Sequence, residues 1–332
     1  IFLIMKESIE NITNSNNKHI LKITQDVLLE SKNIKSLLPI PHGIQVDNDG
    51  KLCLHMPGCG GMYPYAYGIC GALQDNINLH SIRYATCSGS TPAVSTILFN
   101  APAKPTLDLF ERRKSSLLKK YGPKIYWPTE KFIHMAATHN NEIGEIFGNS
   151  EWNDWILTNH KVMVVCKPTN KRMYLDNFVS IYDYVSSCSA SCSFPGIPTK
   201  YCSSKWKFGC KFGPFADGDS FGSYPSIDKF GPRLSIPIKD SKGLLNNNFL
   251  HKIYCVIMGL LGTNLSDYLY YEGYNDAIKF LIPSLLDLVP SAESCQSKSI
   301  GNSNQQAILK ALPLDFTWDE NINSVLFTSS KN

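Results

Sequence analysis

The run Arg83-Tyr84-Ala85-Thr86-Cys87-Ser88-Gly89-Ser90-Thr91-Pro92 sets a thiol and a hydroxyl at the junction of a strand-like segment and a helix-like one. A sharp strand-to-helix turn lifts its apex side chain clear of the sheet and makes it a candidate nucleophile. Strand and helix pass closely there, so the residues two before and two after the apex must be small. About Cys87 these are Ala85 and Gly89. About Ser88 they are Thr86 and Ser90, one of them β-branched, so crowding favours Cys87 over Ser88. Upstream, Gly58-Cys59-Gly60-Gly61 can turn successive backbone amides into one concavity, suited to a phosphate or to the oxyanion of a tetrahedral intermediate. Downstream, Phe215-Ala216-Asp217-Gly218-Asp219 offers the Asp217 carboxylate beside a glycine, which suits a general base. Together these groups could perform acyl transfer. Asp217 would take the nucleophile's proton, and amides of the Gly58 to Gly61 loop and of Ser88 would hold the oxyanion. The helix N-terminus favours a thiolate at Cys87, whereas a neighbouring carboxylate disfavours it and activates a hydroxyl more readily.

For these groups to meet, the chain must bring three distant segments together. Residues 51–56 alternate as a strand, residues 64–74 have a helical pattern, and residues 90–99 read as the helix leaving the elbow, with Pro92 tolerable in its first turn. Strand, glycine loop, helix and second strand make one crossover unit. Loop and elbow then lie at the carboxyl edge of neighbouring parallel strands, where open α/β sheets hold ligands. A strongly amphipathic helix is expected over 106–120. Strands at 161–166 and 173–178 around Pro168-Thr169-Asn170 read as an antiparallel pair at a sheet edge. Residues 253–258 read as a buried strand and 274–288 as a helix interrupted near Pro283. A loop follows to about Asn304, and a closing strand is expected at 324–328. The expected organisation is an N-terminal extension (1–48, with a helix candidate at 19–32), an α/β domain (49–290) and a C-terminal segment (291–332) packing on or trailing the core.

With the small-residue run Ser189-Ala190-Ser191-Cys192-Ser193-Phe194-Pro195 added, the chain resembles the patatin-like phospholipases over residues 50 to 290. That family's pattern is a glycine-rich oxyanion loop, a G-x-S-x-G elbow, a small-residue run ending in proline, and a D-G-[GA] motif, and all four occur here in order. The resemblance places Gly58, Cys59, Gly60 and Gly61 on the oxyanion loop, Cys87 on the serine and Asp217 on the catalytic aspartate. It also makes Gly273-Tyr274-Asn275-Asp276-Ala277 look like the start of the helix after the core. It implies a three-layer α/β/α sandwich with a central, mostly parallel sheet, and lipid ester hydrolysis of the kind used in lipid degradation. The chain departs from the pattern at Met62 and Tyr63, where the family has a basic residue and glycine, and at Ala85, Cys87 and Asp219. Those departures give the alternative reading, a catalytically degenerate relative that binds lipid or serves as a scaffold.

The 332 residues are 43% hydrophobic, which supplies a sizeable core, and the net charge is +4. That charge and a pI near 8.4 are too mild for a nucleic-acid binder. The best basic cluster, Arg112, Arg113, Lys114, Lys119, Lys120 and Lys124, reads as a solvated helix face or, alternatively, as a contact for an anionic membrane. Eleven scattered cysteines argue for a reducing compartment, and the apolar opening Ile1–Met5 is too short for a signal-peptide core, so an intracellular, cytoplasmic location is expected. No apolar run reaches bilayer-spanning length, which leaves peripheral membrane contact with a lipid or phospholipid substrate. Cys188, Cys192, Cys202 and Cys210 lack paired C-x2-C spacing, so no metal is expected. The glycine loop lacks the nucleotide-binding spacings, so no cofactor is expected either. A histidine-based hydrolase would need His251, a weaker reading.

Overall fold

A computed structural model of the chain describes residues 44–46, 52–56, 58–122, 130–166, 171–176, 178–192, 215–217, 263–291 and 303–314. The expected helices at 19–32, strands at 253–258 and 324–328, and residues Lys124, Cys202, Cys210 and His251 lie outside these.

The crossover expected from the sequence is present. Strand β1 (Ile44–Val46) pairs antiparallel with β2 (Leu52–Met56). A 3-10 turn at Gly60–Met62 leads into helix α1 (Tyr63–Asn76), and the chain returns as β3 (Ile82–Cys87), parallel to β2 with Leu52 opposite Ile82 and Met56 opposite Thr86. Helices α2 (Ser90–Leu98), α3 (Ala103–Tyr121), α4 (Glu130–Phe147) and α5 (Ser150–Asn159) follow, before β4 (His160–Cys166) pairs parallel with β3. Strand β5 (Lys171–Leu175) then runs antiparallel to β4, helix α6 spans Ile181–Ser191, and β6 (Phe215–Asp217) also runs antiparallel to β4.

Among the described strands the sheet is mixed, where the sequence reading expects a mostly parallel one: β2–β3 and β3–β4 pair parallel, and the other three pairings are antiparallel. The links before β2 and β5 are too short for a parallel return, which needs a dozen or more residues, whereas β6 follows β5 by way of α6 and runs in the direction of β5, so it too is antiparallel to β4. Strand β5 covers one edge of β4 from Val162 to Cys166. Strand β6, opposite Val164 to Cys166, therefore takes the other edge, where β3 stops at Cys87 opposite Met163.

Side-chain alternation divides the sheet. Leu54, Met56, Ile82, Tyr84, Val162, Val164 and Leu175 join the main hydrophobic core. On that face Tyr84 meets Trp155 of α5, and His160 meets Tyr184 of α6. Ala85, Cys87 and Met163, with His55 and Tyr174, alternate onto the opposite face, where the His55 and Tyr174 rings pack edge to face.

Helix α1 is buried from Tyr63 to Gln74, as a helix that is apolar all round must be. Its closest neighbour is helix α7 (Thr263–Asp276), and the two backbones touch at two glycines. A Cβ on Gly68 would lie 1.9 Å from the Tyr270 carbonyl oxygen, and one on Gly273 would lie 2.1 Å from that of Tyr65. Gly273 thus sits late in a helix that begins at Thr263, whereas the sequence reading put a helix start there. The expected break near Pro283 occurs as a π-helical turn at Ala277–Leu281 before α8 (Ile282–Leu286), since proline cannot supply the amide a regular turn needs.

The basic cluster is neither a solvated face nor a membrane contact as a whole. Among its described members Arg113 and Lys114 are buried, Arg112 is half-buried, and Lys119 and Lys120 are exposed. Arg113 donates to Glu142 Oε2 and His139 Nδ1 of α4 and to the Pro313 carbonyl, while Arg112 donates to the Leu309 carbonyl. Those last two bonds tie helix α9 (Ser303–Ala311), which the sequence reading did not foresee, onto α3.

Two outcomes follow from the α1–α7 crossing. Gly273→Ala forces the helices apart and lowers the unfolding free energy by about 2 kcal/mol or more in denaturant titration. Beside the crossing, burial and then the Asp276 charge push Glu272 from 4.5 up to about 7. The folded protein binds more protons than the unfolded chain between those values, so this contribution is complete below about 4.5 and is lost as pH rises through about 7. Glu272→Gln removes that loss, and the gap between its melting temperature and wild type widens in its favour from pH 4.5 to 8.

Candidate active site

The site is built where β2 and β3 end side by side. After β2, Gly60 takes a left-handed backbone (φ 50°), and the Met62 amide donates to the Cys59 carbonyl at 2.8 Å, closing the turn into α1. Gly58, Cys59 and Gly60 are half-buried and Gly61 is buried. A Cβ on Gly89 would lie 2.8 Å from the Gly60 carbonyl oxygen, 3.0 Å from Cys59 Sγ and 3.1 Å from the Gly60 nitrogen. The glycine loop and the elbow are thus in backbone contact, and only glycine fits at 89.

The elbow's apex is one residue later than the sequence reading placed it. Ser88, with φ 51°, is the left-handed residue, whereas Cys87 is the last residue of β3 and Ala85 lies within the strand. The crowding argument against Ser88 fails because its neighbours' hydroxyls bond across the turn. Thr86 Oγ1 donates to Thr91 Oγ1 at 3.1 Å and shares a 2.7 Å hydrogen bond with His160 Nε2. Ser90 Oγ lies 2.9 Å from the carbonyl oxygens of both Met56 and Cys87, so one proton serves the ends of two parallel strands.

Helix α6 closes the turn from the other side. The Ser88 amide donates to Ser191 Oγ at 2.9 Å, Ser191 Oγ donates to the Met163 carbonyl at 2.7 Å, and Cys192 Sγ donates to the Ser88 carbonyl at 3.2 Å. The Ser88 amide therefore points to Ser191, whereas a Cys87 nucleophile would need that amide for its oxyanion. The next residue, Gly89, is the N-cap of α2.

Asp217 ends β6 opposite Val164, one register step beyond the Met163 that faces Cys87. The backbone thus brings the acid's strand end-on to the tip of β3 along one edge of β4.

Beneath the elbow lies a polar chain that sequence reasoning missed. His160 Nδ1 and Ser95 Oγ each lie 2.7 Å from the Tyr184 hydroxyl, and Ser95 Oγ donates to the Thr91 carbonyl. Burial pushes His160 down to about 3 and Cys188 up to about 12, so both are neutral near pH 7. A lone histidine opening a strand carries no spacing signal that would have disclosed this. Among the described residues, no three His, Cys, Asp or Glu side chains group as metal ligands, and no helix is long and apolar enough to cross a membrane.

A second buried cluster holds the start of α1. The Tyr63 hydroxyl donates to Glu111 and accepts from Lys114 Nζ at 2.6 Å, and Lys114 Nζ also lies 2.6 Å from Glu111 Oε2. Burial raises Glu111 and lowers Lys114, while their mutual attraction opposes both shifts.

No protein-family model, curated protein or solved structure matches this chain. The site therefore rests on its own geometry.

Lys114→Met leaves Glu111 buried without its cation and costs about 3 kcal/mol of stability. Glu111→Gln/Lys114→Met recovers part of that loss, because no buried charge then remains. A chemical-denaturation double-mutant cycle measures the coupling.

Proposed function

We propose that the chain is a lipid acyl hydrolase of the patatin-like type, with a three-layer α/β/α architecture around its sheet. One observation carries the reading: Ser88 sits left-handed at the tip of β3, with Gly89 pressed against the Gly60 main chain. A nucleophile and an amide-rich loop are thus adjacent at the carboxyl edge of two parallel strands.

On this reading Ser88 Oγ attacks the ester carbonyl while Asp217 takes its proton. Residue spacing alone favours Cys87, but the apex conformation and the engaged Ser88 amide favour the hydroxyl. A hydroxyl beside Asp217 also avoids the repulsion that a thiolate and a carboxylate would suffer. The amides of Gly89 and of the Gly60–Gly61 turn would hold the oxyanion, helped by the N-terminal potential of α2. Asp217 then returns its proton to the departing alcohol, and water, deprotonated by the same carboxylate, releases the fatty acid. Lysophospholipid and fatty acid are the expected products from a phospholipid.

The test uses the purified full chain on a fluorogenic phospholipid, a 4-nitrophenyl ester and a short thioester. Ser88→Ala and Asp217→Asn each lower kcat/KM by about 10³-fold or more, and Cys87→Ala stays within about threefold of wild type. A fluorophosphonate adduct maps to Ser88 by peptide mass spectrometry. An adduct on Cys87 instead would restore the thiol as nucleophile. Absence of both turnover and adduct would overturn the hydrolase and leave the lipid-binding relative, read by co-sedimentation with phosphatidylcholine vesicles.

A further inference from the structure

We infer that the C-terminal end of α6, through Ser191 and Cys192, is a positioning clamp that sets the backbone of the nucleophile. The inference rests on the hydrolase reading, because it assigns a role toward Ser88 as the attacking residue.

A left-handed backbone is unfavourable for any residue with a Cβ and persists only where its surroundings over-determine it. Two dihedrals must be fixed, and the hydrogen-bonding groups on either side of them are the residue's own amide and carbonyl. Both are engaged by consecutive residues at the end of α6, Ser191 and its C-cap Cys192, the carbonyl also accepting the Thr91 amide at 3.0 Å. Ser191 Oγ accepts from the Ser88 amide at 2.9 Å, and Cys192 Sγ donates to the Ser88 carbonyl at 3.2 Å.

The Ser191 hydroxyl also explains how β3 leaves the sheet. Paired residues run to Cys87 opposite Met163, and the Ser191 hydroxyl stands between the next amide and the Met163 carbonyl, donating to the latter at 2.7 Å. One hydroxyl is thus inserted into the ladder where the strand lifts off. The lengthened link lets the backbone at Ser88 leave the strand path while its amide stays satisfied.

The clamp has a rigid footing. Ser191 has no exposed surface and Cys192 is 8% exposed. Tyr184 of the same helix bonds His160 of β4 and Ser95 of α2, so α6 is tied to the strand beside the elbow and to the helix that leaves it. A displacement of Ser88 by a fraction of an ångström should slow acylation without altering how lipid is held, since reaction geometry is steeper in distance than binding is.

The experiment measures fluorophosphonate inactivation of the full chain, resolving the maximal rate kinact from the half-saturation constant KI, alongside thermal unfolding. Ser191→Ala is expected to lower kinact by about 10- to 100-fold while KI stays within about threefold. Ser191→Thr, which keeps the hydroxyl, is expected to recover most of the rate. Ser187→Ala is the control: Ser187 is equally buried on α6, but its hydroxyl donates to the Asp183 carbonyl. It should match wild type in kinact whatever its effect on melting temperature. Should Ser191→Ala fail to fold, Cys192→Ala reports instead, with a drop in kinact of about threefold or more.

An unchanged kinact in a folded Ser191→Ala, or an equal drop in Ser187→Ala, would overturn the clamp and leave the hydrolase standing. Wild-type protein that forms no adduct at Ser88 would overturn the hydrolase, and the clamp with it.

Discussion

The approach of Gly89 to the main chain of Gly60 is the constraint on which the rest of the structure turns. Two backbones can come that close only if neither side chain intervenes, and only if the strands before them end level. The parallel register of β2 and β3, with Met56 opposite Thr86, provides the level ends. The Ser90 hydroxyl, shared between the Met56 and Cys87 carbonyls, holds them there. Behind the loop, α1 must then run into the core without offset. Its burial from Tyr63 to Gln74 and its glycine-to-glycine crossing with α7 give it one position.

Several polar groups near the site are taken out of water, which costs free energy unless each finds a partner. Arg113, Glu111, Lys114 and His160 are all buried, yet each has a defined partner. Removing one member of such a set leaves the other stranded, whereas an exposed pair such as Lys161 with Asp176 at 3.9 Å is worth little. These polar contacts tie α3 to the start of α1 through Tyr63, to α4 through Glu142 and to α9 through the Leu309 carbonyl.

Much of the central fold is legible in the sequence because its signals are local. The alternation before Pro57, the glycines at 58, 60 and 61, and the Pro92 that must lie in a first turn mark β2, the loop and α2 within one or two residues. Pro168-Thr169-Asn170 falls between β4 and β5, although β5 spans Lys171–Leu175 where 173–178 is expected. The apex register escapes such reading, because Thr86 and Ser90 look like obstacles until their hydroxyls are seen bonding Thr91, His160 and two strand-end carbonyls. Arg113 and Lys114 look solvated for the same reason, since Glu142, His139 and Tyr63 come from distant points in the chain. Spacing along a helix shows which residues share a face and is silent about what that face meets.

The elbow separates geometry from charge. Among the described residues, Thr86, Ser90, Thr91, Ser191 and Cys192 bond the turn through hydroxyls and a thiol, and the histidine behind them is kept neutral by burial. Ionised groups so close would set a field at the reacting centre and would shift with pH. Neutral donors and acceptors hold the left-handed residue in place across the physiological range without doing either. Under the proposed reading the protonation of Asp217 governs the nucleophile, while hydroxyl bonds such as those of Ser90 and Ser191 set its geometry.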